Sequence, residues 1–259
     1  FDQISRLDAQ PVDKEQLVLK GGHFTTIAHS KTSTAYHARG IVIRRSKVLV
    51  EGLKHYVKGE GDEGPPYRGF ISISNAANVT VRDSIVTGRK TYHKIGSAGH
   101  RVPMGSYGIS INNSVNVALV NVSQSNDIMD RSRWGIIGTN FCKNLLYDGC
   151  ELSRFDAHQG VTNATIRDST LGYMGVQLTG FGTFTIENST VHGWRFINLR
   201  PDYGSTWKGN IIIRNCRFVT AQGGRQSPTI LNGSNDGQHD FGYTCYMPER
   251  LVIDGLEVE

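Results

Sequence analysis

Three segments of the chain concentrate side chains that can exchange protons or pair with an anion. In residues 153–160 an arginine, an aspartate and a histidine alternate, as Arg154, Asp156 and His158. A histidine, with a reference pKa near ~6.5, accepts and releases a proton close to neutral pH. An arginine pairs bidentately with a carboxylate, so Arg154 could neutralise or position an anionic group. Asp156 would orient His158 or hold a metal ion, and the segment predicts acid–base chemistry beside an anion.

Two further segments add candidates. In residues 198–208, Arg200 could share the neutralising role and Tyr203 could protonate a leaving oxygen, while Trp207 could stack on a ring-shaped ligand. Residues 126–134 mix acidic and basic side chains. The ligand-binding candidates from both segments are Asn198, Trp207, Lys208, Asp127, Asp130, Arg131 and Arg133.

Structural roles compete with each of these assignments. His158 could cap a turn instead of moving a proton, and Arg200 could pair with Asp202 or Asp156 in a structural network. Tyr203 and Trp207 could simply pack their loop against the body of the protein. The sequence leaves both readings open.

A short repeat predicts the elements that position these residues. Two runs of alternating apolar residues flank a single Gly, Asn or Asp, as in residues 164–171 around Asp168 and residues 184–191 around Asn188. Alternation with period 2 predicts a short strand with one buried face on either side. Gly, Asn and Asp tolerate left-handed backbone, so the central residue predicts a sharp bend within a continuous strand path.

The bend recurs nine times, at Gly21, Gly52, Asp83, Asn121, Gly149, Asp168, Asn188, Asn215 and Gly255. The intervals range from 19 to 40 residues, which predicts coils of about 20 residues with loops inserted at a fixed place. A third short strand precedes or follows these loops, for example at residues 175–178 and 196–199. We therefore predict an all-β fold, a single-stranded parallel β-helix of about nine coils with three short sheets. It would form one domain over residues 1–259, as a fragment of a longer chain.

Other all-β and repeat folds fit less well. A β-sandwich would need Asn-Gly hairpin signals between longer strands, and these are scarce in the sequence. A leucine-rich repeat would need its leucine consensus, which is absent.

The repeats centred on Asp168 and Asn188 resemble those of right-handed parallel β-helix proteins of the pectate lyase and polygalacturonase superfamily. The resemblance covers roughly residues 15–259. It implies a right-handed helix and an activity on polysaccharides, as in the lyases, glycoside hydrolases and phage tailspike depolymerases of that group. The short active-site motifs typical of pectate lyases and polygalacturonases are absent, so the resemblance extends to the superfamily alone.

The inserted loops all flank the third strand and would wall a groove along that sheet, where loops of a rigid scaffold commonly carry function. On one side lie residues 88–107, 125–134 and 153–158, and on the other lie residues 200–210 and 232–248. Side chains that alternate with the apolar ones on the third strand should point outward into the groove, about 4.8 Å apart between coils. This outward set includes Ser110, Gln177, Thr179, Asn198 and Arg200. Gln177 and Asn198 are therefore candidates to bind sugar hydroxyls, although the set could also be a plain solvated face.

The sharpest hypothesis is a lyase that cleaves an anionic, uronic-acid-containing polysaccharide by β-elimination. His158 would be the base, Tyr203 the acid, and Arg200 with Arg154 the cations that neutralise the sugar carboxylate. No cofactor is certain, and calcium is possible because it takes oxygen ligands. The first alternative is a glycoside hydrolase that uses a pair of carboxylates chosen from Asp127, Asp130 and Asp156. The second is a glycan-binding β-helix without catalysis.

Composition limits the partners. A net charge of +5 over 259 residues is modest, and without a run of Lys and Arg it makes nucleic acid a poor partner. It does suit an anionic polysaccharide.

No apolar stretch approaches the roughly 20 residues of a membrane span, and the four cysteines show no metal spacing. We expect a secreted, periplasmic or cell-surface protein with buried free thiols, and the oligomeric state stays open.

Overall fold

The computed structural model of the protein describes residues 9, 11–27, 40–59, 69–88, 107–132, 137–201, 204–221, 227–233 and 244–259. Eighteen strands are present in these ranges: β1 Leu17–Lys20, β2 His23–Ile27, β3 Ile41–Ile43, β4 Val48–Glu51, β5 Lys54–Lys58, β6 Ile71–Ser74, β7 Ala77–Val86, β8 Ile109–Asn112, β9 Val115–Gln124, β10 Ile137–Asn140, β11 Lys143–Asp148, β12 Glu151–Arg167, β13 Thr170–Glu187, β14 Thr190–Gly193, β15 Arg195–Leu199, β16 Trp207–Thr220, β17 Thr229–Gly233 and β18 Arg250–Val258. Within the described chain, no helix is of a length and hydrophobicity that would let it cross a membrane.

The strands wind into a parallel β-helix, as the repeat predicts. Every pairing among the described strands is parallel and joins segments one coil apart, as β4 does with β7 and β7 with β9. The long strands β12 and β13 each run around most of a coil, so they also pair with each other. Successive coils thus stack in register. The fold class predicted from the sequence is confirmed.

The nine predicted bend residues all have left-handed backbone. Their φ angles lie between +47° at Asn215 and +72° at Gly255. Asn and Asp tolerate this region because their short side chains bond locally, and they also connect the coils, since Asn121 Nδ2 donates to Asp83 Oδ1 at 3.1 Å. The bend therefore shapes each coil and ties it to the next.

The core consists of columns of inward side chains, one residue per coil. One such column is formed by the residue two positions before the bend in each coil. Its members are in register and fully buried, namely Val81, Leu119, Tyr147, Ile166, Ile186 and Ile213. The third strand of each coil adds a sheet that we call the third sheet, made of β3, β6, β8, β10, residues 154–157 of β12, residues 175–178 of β13, β15 and β17. Most of its inward residues are apolar, with Thr139 as an exception, and most of its outward residues are polar, with Val42 and Gly138 among the exceptions.

The expectation of buried free thiols is confirmed, and one histidine is buried as well. Cys142, Cys150 and Cys216 are buried free thiols, and Cys245 is free and exposed. Burial raises the pKa of both the Cys142 and the Cys150 thiol to about 11, so both remain protonated. His55 is a core histidine, 1% exposed, with Nε2 2.8 Å from Thr26 Oγ1.

The interpretation of residues 153–158 as a loop is wrong. These residues belong to β12, and residues 154–157 pair in register with residues 175–178 of the next coil. Phe155 and Ala157 point inward and are fully buried. Arg154, Asp156 and His158 are therefore carried by the third sheet itself, on a rigid strand instead of a mobile connection.

Candidate active site

A column of polar side chains runs along the outward face of the third sheet. Asp156, Gln177, Asn198 and Asn232 are in register on four successive coils. Asn198 Nδ2 donates to Gln177 Oε1 at 2.7 Å, and Asn232 Nδ2 donates to Asn198 Oδ1 at 2.8 Å. The predicted binding residues Gln177 and Asn198 thus form part of a hydrogen-bonded amide ladder that leads away from Asp156.

Asp156 is the centre of an ionic cluster at one end of this ladder. Its side chain is 0% exposed, and its two oxygens accept hydrogen bonds from two arginines. Arg154 Nη2 donates to Oδ2 at 2.7 Å and Arg200 Nη1 donates to Oδ1 at 3.3 Å. The sequence places Arg200 two coils from Asp156, and the structure joins them directly.

The two arginines differ in access to solvent, which separates their roles. Arg154 is 2% exposed and Arg200 is 13% exposed. The prediction that Arg154 pairs directly with an external carboxylate is wrong, because its guanidinium is buried against Asp156. Arg200 has a planar guanidinium group, and part of its side chain reaches solvent.

The charge state of Asp156 follows from these contacts. Burial by itself would raise the pKa of the carboxyl group, but the charge of Arg154, the ring of His158 and the charge of Arg200 outweigh it and hold the pKa well below the ordinary value. Asp156 is therefore ionised throughout the neutral range. A carboxylate in this state can orient a histidine and stabilise its protonated form, but it cannot donate a proton.

His158 lies at the open edge of the cluster. Its Nδ1 is 3.6 Å from Asp156 Oδ2, and 21% of its side chain is exposed. The pairing of β12 with β10 shifts register here, with Thr139 opposite Ala157 and Asn140 opposite Gln159. His158 is thus the extra residue of a β-bulge, a feature that re-aims a side chain and is common beside active sites.

Tyr107 completes the cluster and was missed in the sequence. Its hydroxyl is 2.9 Å from His158 Nδ1, donates to Asp156 Oδ2 at 3.4 Å, and accepts from Arg154 Nη2 at 3.4 Å. The ring covers Gly138, where an added Cβ would lie 2.7 Å from the ring carbons. The available signal was a tyrosine just before β8 together with a glycine in an outward slot of the third sheet.

The other predicted residues occupy varied positions. Asp127 Oδ1 accepts from the Met129 amide at 2.8 Å, and Asp130 Oδ1 accepts from the Ser132 amide at 2.9 Å, so both carboxylates brace their own loop. Arg131 is exposed in the same loop. Arg133 and Tyr203 lie outside the described residues.

The prediction that Trp207 stacks on a ligand is wrong. Its side chain is 0% exposed, packs against Phe184 with ring centroids 6.0 Å apart, and donates from Nε1 to the Asn210 carbonyl at 3.2 Å. A ligand has no access to the indole, because Trp207 is part of the core. The neighbouring Lys208 is exposed, with Nζ 5.3 Å from the ring centroid of Tyr246.

The described part of the chain contains no preformed metal site. There, no three His, Cys, Asp or Glu side chains gather closely enough to hold an ion. The oxygens of Asp156 face arginines rather than a cavity.

The pH dependence of stability offers a test of the Asp156 environment. Its folded-state pKa lies below the unfolded value of ~3.9, so its stabilising effect is present above pH ~5 and is lost as the pH falls toward the folded value. We expect the free energy of unfolding to fall with decreasing pH less steeply in Asp156→Asn than in the wild type, by up to about 1.4 kcal/mol per pH unit below pH 4. Urea unfolding at several pH values measures this slope. Asp168→Asn, at an exposed bend, is the matched control for the loss of one carboxyl group, and equal slopes in wild type and Asp156→Asn would contradict the assignment.

Comparison with known proteins gives a similarity over part of the chain. No family model matches the chain. A segment of 98 residues is 30% identical to a depolymerase described as specific for the KL64 capsule, from Klebsiella phage P510. The alignment covers 33% of this chain and 10% of that relative, so the chain spans only a small part of the relative's length. This chain is similar to part of a phage capsule depolymerase.

Proposed function

We propose that the protein is a polysaccharide depolymerase that cleaves an anionic bacterial capsular polysaccharide by β-elimination, in the groove along the third sheet. The observation that carries the proposal is the hydrogen-bonded pair of Tyr107 and His158, 2.9 Å apart, held against an ionised Asp156. A polar ladder that continues from this pair along the sheet suits an extended chain of sugars. The similarity to part of a capsule depolymerase supports the same substrate class and an action outside the cell.

His158 is the base in this proposal. Its Nδ1 lies beside Tyr107 and Asp156, and its partly exposed ring would take the proton from the carbon next to the sugar carboxylate. The imidazolium formed is stabilised by Asp156, whose negative charge is retained at neutral pH. The guanidinium of Arg200 neutralises the substrate carboxylate, which makes that carbon-bound proton more acidic.

Tyr107 takes the role that the sequence assigns to Tyr203. When the C–H bond breaks, its electron pair forms the new C=C bond and the glycosidic C–O bond breaks. The leaving oxygen takes the hydroxyl proton of Tyr107, and the phenolate is stabilised by Arg154, whose Nη2 lies 3.4 Å from that oxygen. The Nδ1 proton of His158 then passes across the 2.9 Å hydrogen bond to Tyr107, so that one proton has moved from carbon to leaving group overall.

The carboxylates favour elimination over hydrolysis. Glycoside hydrolysis needs one protonated and one ionised carboxyl group flanking the bond. Asp156 is buried and held ionised by two arginines, while Asp127 and Asp130 accept hydrogen bonds from their own loop. Asp156, the carboxyl group closest to His158 and Tyr107, is therefore not in the protonated state that a general acid requires.

A pair of substrates tests the proposal. Purified Klebsiella capsular polysaccharides, beginning with KL64, are incubated with the protein before and after chemical reduction of their uronic carboxyl groups to alcohols. We expect size-exclusion chromatography to show shortening of at least one native polysaccharide and none of its reduced form, because reduction removes the group that acidifies the carbon-bound proton. Equal cleavage of both forms would instead indicate hydrolysis, and a panel left intact would contradict the depolymerase function.

A further inference from the structure

Phe141 occupies a backbone position that suits asparagine or glycine. It directly follows β10, and the equivalent residues after β6 and β8 are Asn75 and Asn113. All three have left-handed backbone, with φ of 52° at Asn75, 48° at Asn113 and 52° at Phe141. In the next coil Gly160, with φ of 60°, follows the bulge.

Neither backbone preference nor packing accounts for a phenylalanine there. Bulky residues with positive φ are outliers because their side chain crowds the following carbonyl. Burial does not compensate, since Phe141 is 53% exposed. A strained residue whose local structure gives no compensating gain points to a role in binding or catalysis.

The position of the ring suggests that role. One part of it lies against Gly160, where an added Cβ would be 2.7 Å from Phe141 Cδ1, and the Phe141 amide donates to the Gln159 carbonyl at 2.7 Å. Gln159 and Gly160 directly follow His158 in the chain. The aromatic ring is thus half-exposed and lies against Gly160, which follows the proposed base His158 by two residues.

We propose that Phe141 is a stacking platform for a pyranose ring of the polysaccharide, at the sugar unit beside the bond that His158 attacks. This inference rests on the proposed function. The C–H face of a pyranose is apolar, and a rigid aromatic side chain offers a large apolar contact area at low entropic cost. The left-handed backbone at Phe141 places the ring over Gly160.

The test replaces Phe141 by asparagine, the residue at the equivalent positions 75 and 113, so that an effect on binding can be separated from an effect on stability. Phe141→Asn is compared with wild type and with Phe141→Tyr, which keeps the ring. The measurements are the kinetics of cleavage of KL64 polysaccharide, or of the panel member that wild type cleaves fastest, and the retardation of the protein in gels that contain the same polysaccharide. We expect Phe141→Asn to raise KM about tenfold, the loss of a moderate stacking contact, and to abolish most of the retardation, while Phe141→Tyr resembles wild type. The midpoint of urea unfolding of Phe141→Asn should equal or exceed that of wild type, because asparagine tolerates the left-handed backbone.

Phe181, which is 49% exposed on β13, supplies the matched control. Phe181→Asn should leave KM and retardation near the wild-type values. A wild-type KM and retardation in Phe141→Asn, or an equal loss in Phe181→Asn, would overturn the stacking platform even if the polysaccharide is cleaved as proposed. Failure of wild type to cleave or bind any polysaccharide of the panel would overturn the proposed function, and the platform with it. Cleavage by hydrolysis together with weaker retardation of Phe141→Asn would overturn the elimination mechanism and leave the platform standing.

Discussion

Replacing Tyr107 by phenylalanine is expected to lower kcat on the anionic capsular polysaccharide about a thousandfold, within the range that general acid–base groups contribute. The change removes one oxygen atom, the one that lies 2.9 Å from His158 Nδ1 and 3.4 Å from Arg154 Nη2. The ring that covers Gly138 is retained, so the fold should be unaffected. Initial rates of polysaccharide cleavage measure the loss.

Two further variants make this prediction specific to the pair. His158→Gln should lose activity to a similar extent, and the double variant should lose little more than either single one, because residues that act as a unit are not additive. Tyr56→Phe, at a half-buried tyrosine on β5, is the control for the loss of a phenolic hydroxyl elsewhere. Retention of more than about a tenth of the wild-type kcat in Tyr107→Phe, far outside the range expected for a general acid, would exclude Tyr107 from the reaction.

Replacing Arg154 by methionine is expected to lower the free energy of unfolding by about 3 kcal/mol, because it removes the shortest ion pair of a buried carboxylate. Arg154 and Asp156 are 2% and 0% exposed and lie 2.7 Å apart. Arg200 and His158 still contact Asp156, which places the cost at the lower end of the range for broken buried pairs. Urea unfolding followed by tryptophan fluorescence measures the difference.

A second substitution, at Asp156, shows whether the loss of stability comes from an unpaired buried charge. Adding Asp156→Asn to Arg154→Met should recover most of the lost stability, since the buried charge is then absent. Arg167→Met breaks a comparable pair, with Asp148 at 2.6 Å, whose arginine is 46% exposed, and should cost less than about 1 kcal/mol. If Arg154→Met is no more destabilising than Arg167→Met, the buried network does not hold the site together.

The fold was predictable from the sequence because each coil repeats the same physical requirement. A left-handed bend needs Gly, Asn or Asp, and all nine predicted bend residues have positive φ. The flanking alternation is equally direct, because one side of every short strand enters a column such as Leu119, Tyr147 and Ile166. Such local rules are visible without tertiary structure.

The candidate site was predictable only in part, because its assembly depends on register between coils. The alternation of Arg154, Asp156 and His158 drew attention to the correct strand, but their polarity suggested a loop, since the intervening Phe155 and Ala157 are too few to reveal a strand alone. Tyr107 lies 51 residues before His158, and nothing local distinguishes it from other tyrosines.

Trp207 shows the opposite error. Its polar neighbours Thr206 and Lys208 suggest an exposed loop, whereas its pairing with Gly180 in the adjacent coil places the indole in the core. The register between coils is a tertiary property, and it decides whether the tryptophan side chain points into the core or toward solvent.

Whether the polysaccharide is cleaved by elimination at the Tyr107–His158 pair can be decided from the chain ends that one digestion produces. Elimination leaves a double bond conjugated with the carboxylate at every new non-reducing end, and this group absorbs in the ultraviolet. We expect wild-type protein to generate ultraviolet-absorbing ends and reducing ends in equal molar amounts from an anionic capsular polysaccharide. Tyr107→Phe should generate almost none of either. New reducing ends without the absorbance would contradict elimination.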